Sequence, residues 1–290
     1  MEFSVVIPTY RRPDALRAII ASISACEPGP VEVIVVDGDP ESGAREALAS
    51  LPPRVAVRHL STPLGVTHQR NRGIDEARGD VIVFLDDDVA VDRGTFAILA
   101  DAYRNPAVVG ATGRLVEPGL NRRVGMHSRL RRFLPGGGAE GTFTRYGYPR
   151  YLLNLDRPRD VELMPGCFMS ARRELAARVR FDEGMRGYAL GEDEDFSYRL
   201  SRLGRIVYLP GIVVEHKKLG FRSHDSRAFG RLVVRNRAYL FRKNFPQTAL
   251  ARTQFALFLL VLVAHRLVNR EWRGALGVLE GTANLRRSRP

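Results

Sequence analysis

Short apolar runs recur through the first 85 residues with helix-patterned segments between them. They are Phe3 to Ile7, Val31 to Val36 (broken only by Glu32) and Val81 to Leu85, with Val55 to His59, which ends in Arg58 and His59, reading as a further strand. No other feature limits the possible folds as much. A run that is apolar on successive residues suits a strand buried on both faces, as in parallel sheets flanked by helices. Pro13 to Ile23 places apolar residues at helical spacing behind a proline suited to a first turn. Glu41 to Leu51 and Gln69 to Ala77 read as second and third helices. The β-α-β-α-β-α-β order needs crossover connections. It therefore predicts an α/β, Rossmann-like fold with a mostly parallel central sheet and helices on both faces.

Ligands of such sheets sit beyond the carboxyl ends of the strands. Pro8-Thr9-Tyr10, Asp37 and the triplet Asp86-Asp87-Asp88 all fall on that rim. Side chains alternate along an extended segment, so Asp86 and Asp88 can share a face. They repel unless something positive joins them, and a divalent cation carrying a substrate's phosphates meets that need. A polar turn after a buried strand is the plainer alternative. Arg70 and Arg72 stand near a helix start, where guanidinium groups and backbone N–H groups suit an anion. For Arg72 a solvated helix end is an equal reading.

A second acidic cluster, Glu192-Asp193-Glu194-Asp195, follows Gly191 at the start of an amphipathic helix. Acids there favour the helix dipole and can be purely structural. Crowded carboxylates also raise one another's pKa, which is one way a site obtains a base. Ile206 to His216 reads as one or two strands closing the sheet, leaving His216 at a strand end where a metal ligand could stand.

Charge divides the chain. Residues 1 to 216 hold 29 basic and 29 acidic side chains, whereas residues 217 to 290 hold 16 basic and 3 acidic, so the net charge of +13 lies wholly in the tail. That asymmetry points to an acidic surface met by one end of the molecule. The tail's apolar run, Phe255 to Ala264, ends at His265 and Arg266, short of the roughly 20 residues a bilayer span needs. A helix lying among lipid headgroups fits its length and charge; a core helix or a partner-binding helix is the alternative. Residues 117 to 165 mix arginines (Arg122, Arg123, Arg129, Arg131, Arg132, Arg145, Arg150, Arg157, Arg159) with Phe133, Phe143, Tyr146, Tyr148 and Tyr151. Such mixtures can bind single strands, yet no nucleic-acid motif accompanies them, and no nucleic-acid partner is expected. An acceptor-binding insertion is the preferred reading. Cys26 and Cys167 are too few for a disulfide framework and are expected to be free thiols in a reducing compartment. The N-terminus enters a strand without a signal-peptide pattern, so secretion is not expected.

Phe3-Ser4-Val5-Val6-Ile7-Pro8-Thr9-Tyr10, Val35-Val36-Asp37, Arg70-Asn71-Arg72-Gly73, Phe84-Leu85-Asp86-Asp87-Asp88 and Gly191-Glu192-Asp193-Glu194-Asp195, in this order, resemble the inverting family 2 glycosyltransferases of GT-A fold. The resemblance covers about residues 3 to 216. It implies a nucleotide-sugar donor (a UDP-, dTDP- or GDP-sugar) and a divalent cation, Mg or Mn. It implies that Pro8, Thr9 and Tyr10 line the nucleoside pocket, that Asp37 bonds the base, and that Arg70 approaches the base or phosphates. Asp86 would meet the ribose or sugar, and Arg12 and Asp87 complete the donor-binding set. Asp88 and His216 would be metal ligands, and Asp193 the general base with Glu192 beside it. Gly38 departs from the pattern, since many relatives carry a second aspartate there.

The expected organisation is a catalytic domain over 1–216, with a nucleotide-binding half (1–115) and an acceptor-binding half (116–216) carrying the basic insertion 117–165. A basic amphipathic helical tail over 217–290 follows. The expected activity is metal-dependent inverting transfer to an acceptor hydroxyl on a glycan or lipid-linked molecule of the cell envelope. The expected place is the cytoplasm, peripheral on the inner face of an anionic membrane. Two other classes compete: a metal-dependent phosphohydrolase or phosphotransferase, which position 90 disfavours by lacking a small hydroxyl residue, and a non-catalytic membrane-surface module, which leaves both acidic clusters unexplained.

Overall fold

The computed structural model describes residues 1–49, 55–117, 138–152, 155–185, 189–217 and 225–287. The apolar runs are strands β1 (Phe3–Thr9), β2 (Glu32–Asp37), β3 (Ala56–Ser61) and β4 (Val81–Leu85), parallel throughout in the order β3-β2-β1-β4. Helices α1 (Pro13–Ser24), α2 (Ala44–Ala49) and α3 (Val66–Glu76) form the crossovers. Alternation along the strands divides the core. Val5, Ile7, Val33, Val35, Val81, Val83 and Leu85 pack with Leu16, Ile19 and Ile20 of α1. Val6, Ile34, Val36, Ile82 and Phe84 pack with Ile74 of α3 in a second cluster. Helices thus cover both faces, and each strand contributes to both clusters.

Two boundaries differ from expectation for local reasons. Helix α2 begins at Ala44 rather than Glu41 because Asp39 organises a turn first: its carboxylate accepts from the Glu41 amide at 3.0 Å and its carbonyl from the Ser42 amide at 3.1 Å. Helix α3 begins at Val66 rather than Gln69, directly after Gly65 at φ 150°, so Val66, Thr67 and His68 are helical despite modest propensity.

Beyond β4 the sheet becomes mixed. Strands β5 (Val89–Val91), β6 (Val108–Val116), β7 (Arg159–Val161), β8 (Phe168–Arg172) and β9 (Arg205–His216) extend it in the order β4-β8-β6-β9-β5, with β7 also on β9. Strand β8 runs antiparallel to β4 and β6, while β6 and β9 are parallel. Ile206 to His216 lies in one strand, not two. Its register against β6 slips between Gly113 and Arg114, opposite Pro210 and Gly211, where a proline has no ladder N–H to give. Helices α4 (Thr95–Tyr103), α5 (Arg173–Val179) and α6 (Glu192–Ser201) complete this part.

Contacts divide the chain into two units, Met1–Pro118 with Leu152–Leu219, and Gly119–Tyr151 with Gly220–Pro290. The first holds the sheet. The second is built on α7 (Ser226–Asn244), α8 (Ala249–Val268) and α9 (Trp272–Arg287). Asp225 caps α7 by accepting from the Arg227 amide, and Thr248 caps α8 by accepting from that of Ala251. Glycines let α7 and α9 meet backbone to backbone: a methyl on Gly277 would sit 2.1 Å from the Arg227 carbonyl oxygen. Phe241 of α7 stacks on Phe255 of α8 at 4.9 Å, and Tyr146 and Tyr148 of the expected insertion pack against Phe258. Arg122, Arg123, Arg129, Arg131, Arg132 and Phe133 lie outside the described residues. The ten-residue apolar run proves to be the middle of the 20-residue α8, which is long and apolar enough to cross a membrane by length and composition. The apolar run understates the helix because α8 begins at Ala249, ahead of it, and continues through His265 and Arg266 in its last turn.

Candidate functional site

Parallel register carries the first strands to a common rim, with Pro8 opposite Val36 and Thr9 opposite Asp37. Gln69 of α3 fastens that rim, its side-chain amide donating to the Thr9 and Val36 carbonyls at 2.8 Å each. Asp37 is fully buried. Its carboxylate accepts from the Asp39 amide at 3.0 Å and from the Ser42 hydroxyl, and meets His59 Nε2 at 3.3 Å. Tyr10 is half-buried on the rim, with the Arg11 guanidinium 5.2 Å from its ring centroid.

The triplet follows the end of β4, with Asp87 and Asp88 in a turn. Thr9 Oγ1 donates to Asp87 at 2.8 Å and Arg12 Nη1 at 3.0 Å. Burial pushes Asp87 up to about 6, against the lowering effect of Thr9 and Arg12. Asp86 and Asp88 meet His216. One ligand atom from each of the three lies within 4.8 Å of the others. Arg12 Nη1 also reaches Asp88 Oδ2 at 3.2 Å.

His216 arrives from the end of β9, paired with Val89 of β5. Its two nitrogens are divided: Nε2 lies 3.2 Å from Asp88 Oδ1, and Nδ1 lies 3.1 Å from Glu117 Oε2. Burial lowers its pKa, but Asp88, Asp86 and Glu117 outweigh burial, and the net shift is upward. Glu117 went unnoticed in the sequence, since it carries no motif. Only the pairing of Val116 with Glu215 brings it beside His216.

Arg70 joins the two acidic clusters. It is 1% exposed; Nη2 donates to Asp86 Oδ1 at 3.0 Å and to the Gly166 carbonyl at 2.8 Å, while Nη1 donates to Glu192 Oε1 at 2.9 Å. Gly166 in turn donates its amide to Asp193 Oδ2 at 2.9 Å. Asp193 Oδ1 accepts from the Glu194 amide at 2.9 Å. Enclosure raises both Glu192 and Asp193 above the ordinary carboxylate range, joined by repulsion from Asp193 on Glu192 and from Glu194 on Asp193, with Arg70 opposing.

Both readings of the second cluster hold, for different members. Asp195 is buried and bonds Arg199 one turn on at 2.6 Å, and Glu194 is also buried. Glu192 and Asp193 remain partly accessible at the start of α6. Arg72 is half-exposed, bonded to Glu76 at 2.9 Å, and outside the network. Cys26 and Cys167 are free, buried thiols.

The donor set of two carboxylates and an imidazole fits a divalent cation such as Mg or Mn, because its oxygens are hard and its like charges stand close with cationic partners on their outer sides.

The model of the family "Glycosyl transferase family 2" matches residues 4–180. The uncharacterized glycosyltransferase YwdF of Bacillus subtilis is 39% identical over 90 residues, 30% of this chain and 33% of that protein. The N-acetylglucosaminyl-diphospho-decaprenol L-rhamnosyltransferase of Mycobacterium tuberculosis is 29% identical over 239 residues, 74% of this chain and 75% of that protein. The chain thus spans about a third of the Bacillus relative and three quarters of the mycobacterial one. Among solved structures, the mannosyltransferase PcManGT of Pyrobaculum calidifontis, in complex with GDP-Man and Mn2+, superposes with TM-score 0.61 at 17% identity, covering 100% of this chain and 76% of that one. S. aureus TarS 1-349 in complex with UDP-GlcNAc gives 0.60 at 17%, covering 91% and 73%.

Proposed function

Because this chain belongs to glycosyl transferase family 2 and is a glycosyltransferase of GT-A fold, we propose that it is a metal-dependent inverting enzyme. It moves a sugar from a UDP-, dTDP- or GDP-linked donor to an acceptor hydroxyl. Family membership removes the hydrolase and non-catalytic alternatives. The observation that carries the proposal is the convergence of Asp86, Asp88 and His216 within 4.8 Å, linked through Arg70 to Glu192 and hence to the neighbouring Asp193.

In this reading Asp88 and His216 hold the cation, whose chemistry is to neutralise charge on the donor's diphosphate. Arg70 and Arg12 add positive charge at the same rim, and the end of β1 with Pro8, Thr9 and Tyr10 receives the nucleoside. Asp37 is fully buried, with its oxygens engaged by Asp39, Ser42 and His59. A base contact would require it to exchange one of those partners. Asp86 positions Arg70 and meets the donor's ribose or sugar.

Asp193 takes the proton from the acceptor hydroxyl as that oxygen bonds to the anomeric carbon. The bond from that carbon to the phosphate oxygen breaks, and the nucleoside diphosphate leaves on the opposite face with inversion. Asp193 keeps free lone pairs for this because the Gly166 and Glu194 amides engage one pair on each oxygen. Its raised pKa makes it a stronger base than an ordinary aspartate.

The acceptor in this reading is a glycan or lipid-linked molecule of the cell envelope, met by a cytoplasmic enzyme peripheral on the inner face of the membrane. What supports it is the tail's charge and the acceptor named for the mycobacterial relative. Calorimetric titration with uridine, thymidine and guanosine diphosphates, with Mn and with chelator, tests the core of the proposal. One nucleotide should bind only with metal, and Asp88→Ala should weaken that metal-dependent binding; equal binding in chelator would overturn it.

A further inference from the structure

Among the described residues, two of the three helices of the second unit carry apolar stripes that stay exposed. On α8, Ala251, Phe255, Phe258 and Leu259 are buried, while Leu250, Leu257, Leu260, Ala264 and Leu267 are exposed. At helical periodicity these two sets occupy opposite sides of the helix. Leu260 is 65% exposed and Leu257 45%. On α9, Ala275 and Val278 are buried, while Trp272, Leu276 and Leu279 stand at one-turn intervals with exposures of 65%, 43% and 52%. Side chains of this size in two stripes exceed the scattered apolar residues of an ordinary surface.

Charge identifies what covers them. Exposed Arg242, Lys243, Arg252, Arg270 and Arg273 belong to the same helices and their connections, and residues 217–290 carry 16 basic against 3 acidic side chains. A basic protein partner is disfavoured by that excess, and so is a second copy of a surface this positive. An anionic bilayer satisfies both the stripes and the cations. An exposed tryptophan among leucines suits the boundary between headgroups and acyl chains.

We propose that α8 and α9 dock the enzyme on an anionic membrane by laying Leu257, Leu260, Trp272, Leu276 and Leu279 into the headgroup–acyl boundary, with arginines on the lipid phosphates. The mode is interfacial, not spanning. Between Arg252 and His265 the uncharged helix covers about 18 Å, against a hydrocarbon core of roughly 30 Å. One side of α8 is moreover occupied by Phe241, Tyr146 and Tyr148. This deepens the peripheral location given above and rests on the second unit alone, so its test is separate from that of catalysis.

Trp272 is the chain's only tryptophan and reports directly. Mixing the full-length protein with vesicles of phosphatidylcholine and phosphatidylglycerol should shift its emission to the blue and render it quenchable by shallowly brominated lipid. Vesicles of phosphatidylcholine alone should bind at least tenfold more weakly. Leu260→Glu and Leu279→Glu should each lower binding about tenfold with circular dichroism and metal-dependent nucleotide binding unchanged. Absence of any emission shift or cosedimentation with anionic vesicles overturns the proposal. So does a lipid-free dimer that Leu260→Glu dissociates, and so does resistance of the membrane-bound protein to alkaline carbonate extraction, the mark of a span.

Discussion

The sheet rim and the C-terminal helices use charge in opposite ways. In residues 1 to 216 basic and acidic side chains balance, and at the rim they pair: Arg70 with Asp86 and Glu192, Arg12 with Asp87 and Asp88, His216 with Asp88 and Glu117. The C-terminal helices hold an unbalanced positive charge beside exposed leucines. Burying a charge is costly unless it is paired, so the rim's arginines and carboxylates are held in defined geometry. Surface charge in water carries no such constraint and acts through its sum. Geometry in the first unit and net charge in the second should therefore fail differently when perturbed.

The sharpest division concerns Asp193. Replacement by Asn keeps the acceptors for the Gly166 and Glu194 amides on at most one oxygen and removes the base. Turnover should fall by on the order of 10³-fold, within the range for loss of a general base. Donor affinity measured by calorimetry should change less than threefold, and vesicle binding not at all. A variant with full turnover would refute the assignment and dissolve the distinction between the two units.

Glu117 offers the next largest effect. It fixes Nδ1 of His216 while Nε2 faces Asp88, the arrangement by which a carboxylate orients an imidazole ligand. Glu117→Gln should weaken Mn binding about tenfold, read by electron paramagnetic resonance titration without substrate. Unchanged Mn affinity would make Glu117 a packing residue only.

Much of this was legible beforehand, for reasons that can be traced. The apolar runs specified β1, β2 and β4, which are buried along their whole length, whereas β3 is only partly buried and carries Arg58 and His59. Asp86 and Asp88 do meet at one cluster, although Asp87 and Asp88 stand in a turn and not in extended backbone. Arg70 as the link between the acidic clusters was not legible, because Asp86 and Glu192 are joined only by tertiary folding. Glu117 was hidden for the same reason, because it depends on β6–β9 register. The apolar run understates the length of α8 because His265 and Arg266 interrupt it, whereas a helix tolerates cations in its last turn.

Acidity separates the regions more gently. Asp193 must be ionised to accept a proton, and its pKa is raised, so the acid limb of kcat/KM should lie above the pH at which an ordinary aspartate titrates. Below that limb the rate should fall about tenfold per pH unit. Vesicle binding, which depends on arginines charged throughout this range, should stay flat. A rate profile falling only near pH 4 would show that Asp193 is not the titrating base.

Ionic strength gives the smallest and most selective difference. The Debye length shrinks from about 10 Å at 0.1 M to about 3 Å at 1 M, which screens exposed charges far more than buried ones. Arg242, Lys243, Arg252, Arg270 and Arg273 are all exposed, whereas Arg70 is buried within its ring of acceptors. Raising salt across that range should weaken partitioning onto anionic vesicles several-fold while leaving a residue from the leucines and Trp272. Mn affinity of the rim, held by ligands already grouped, should drop less. Equal salt sensitivity of the two, measured on the same preparation, would mean that the rim's charges are as solvated as those of the helices and that their pairing contributes no preorganisation.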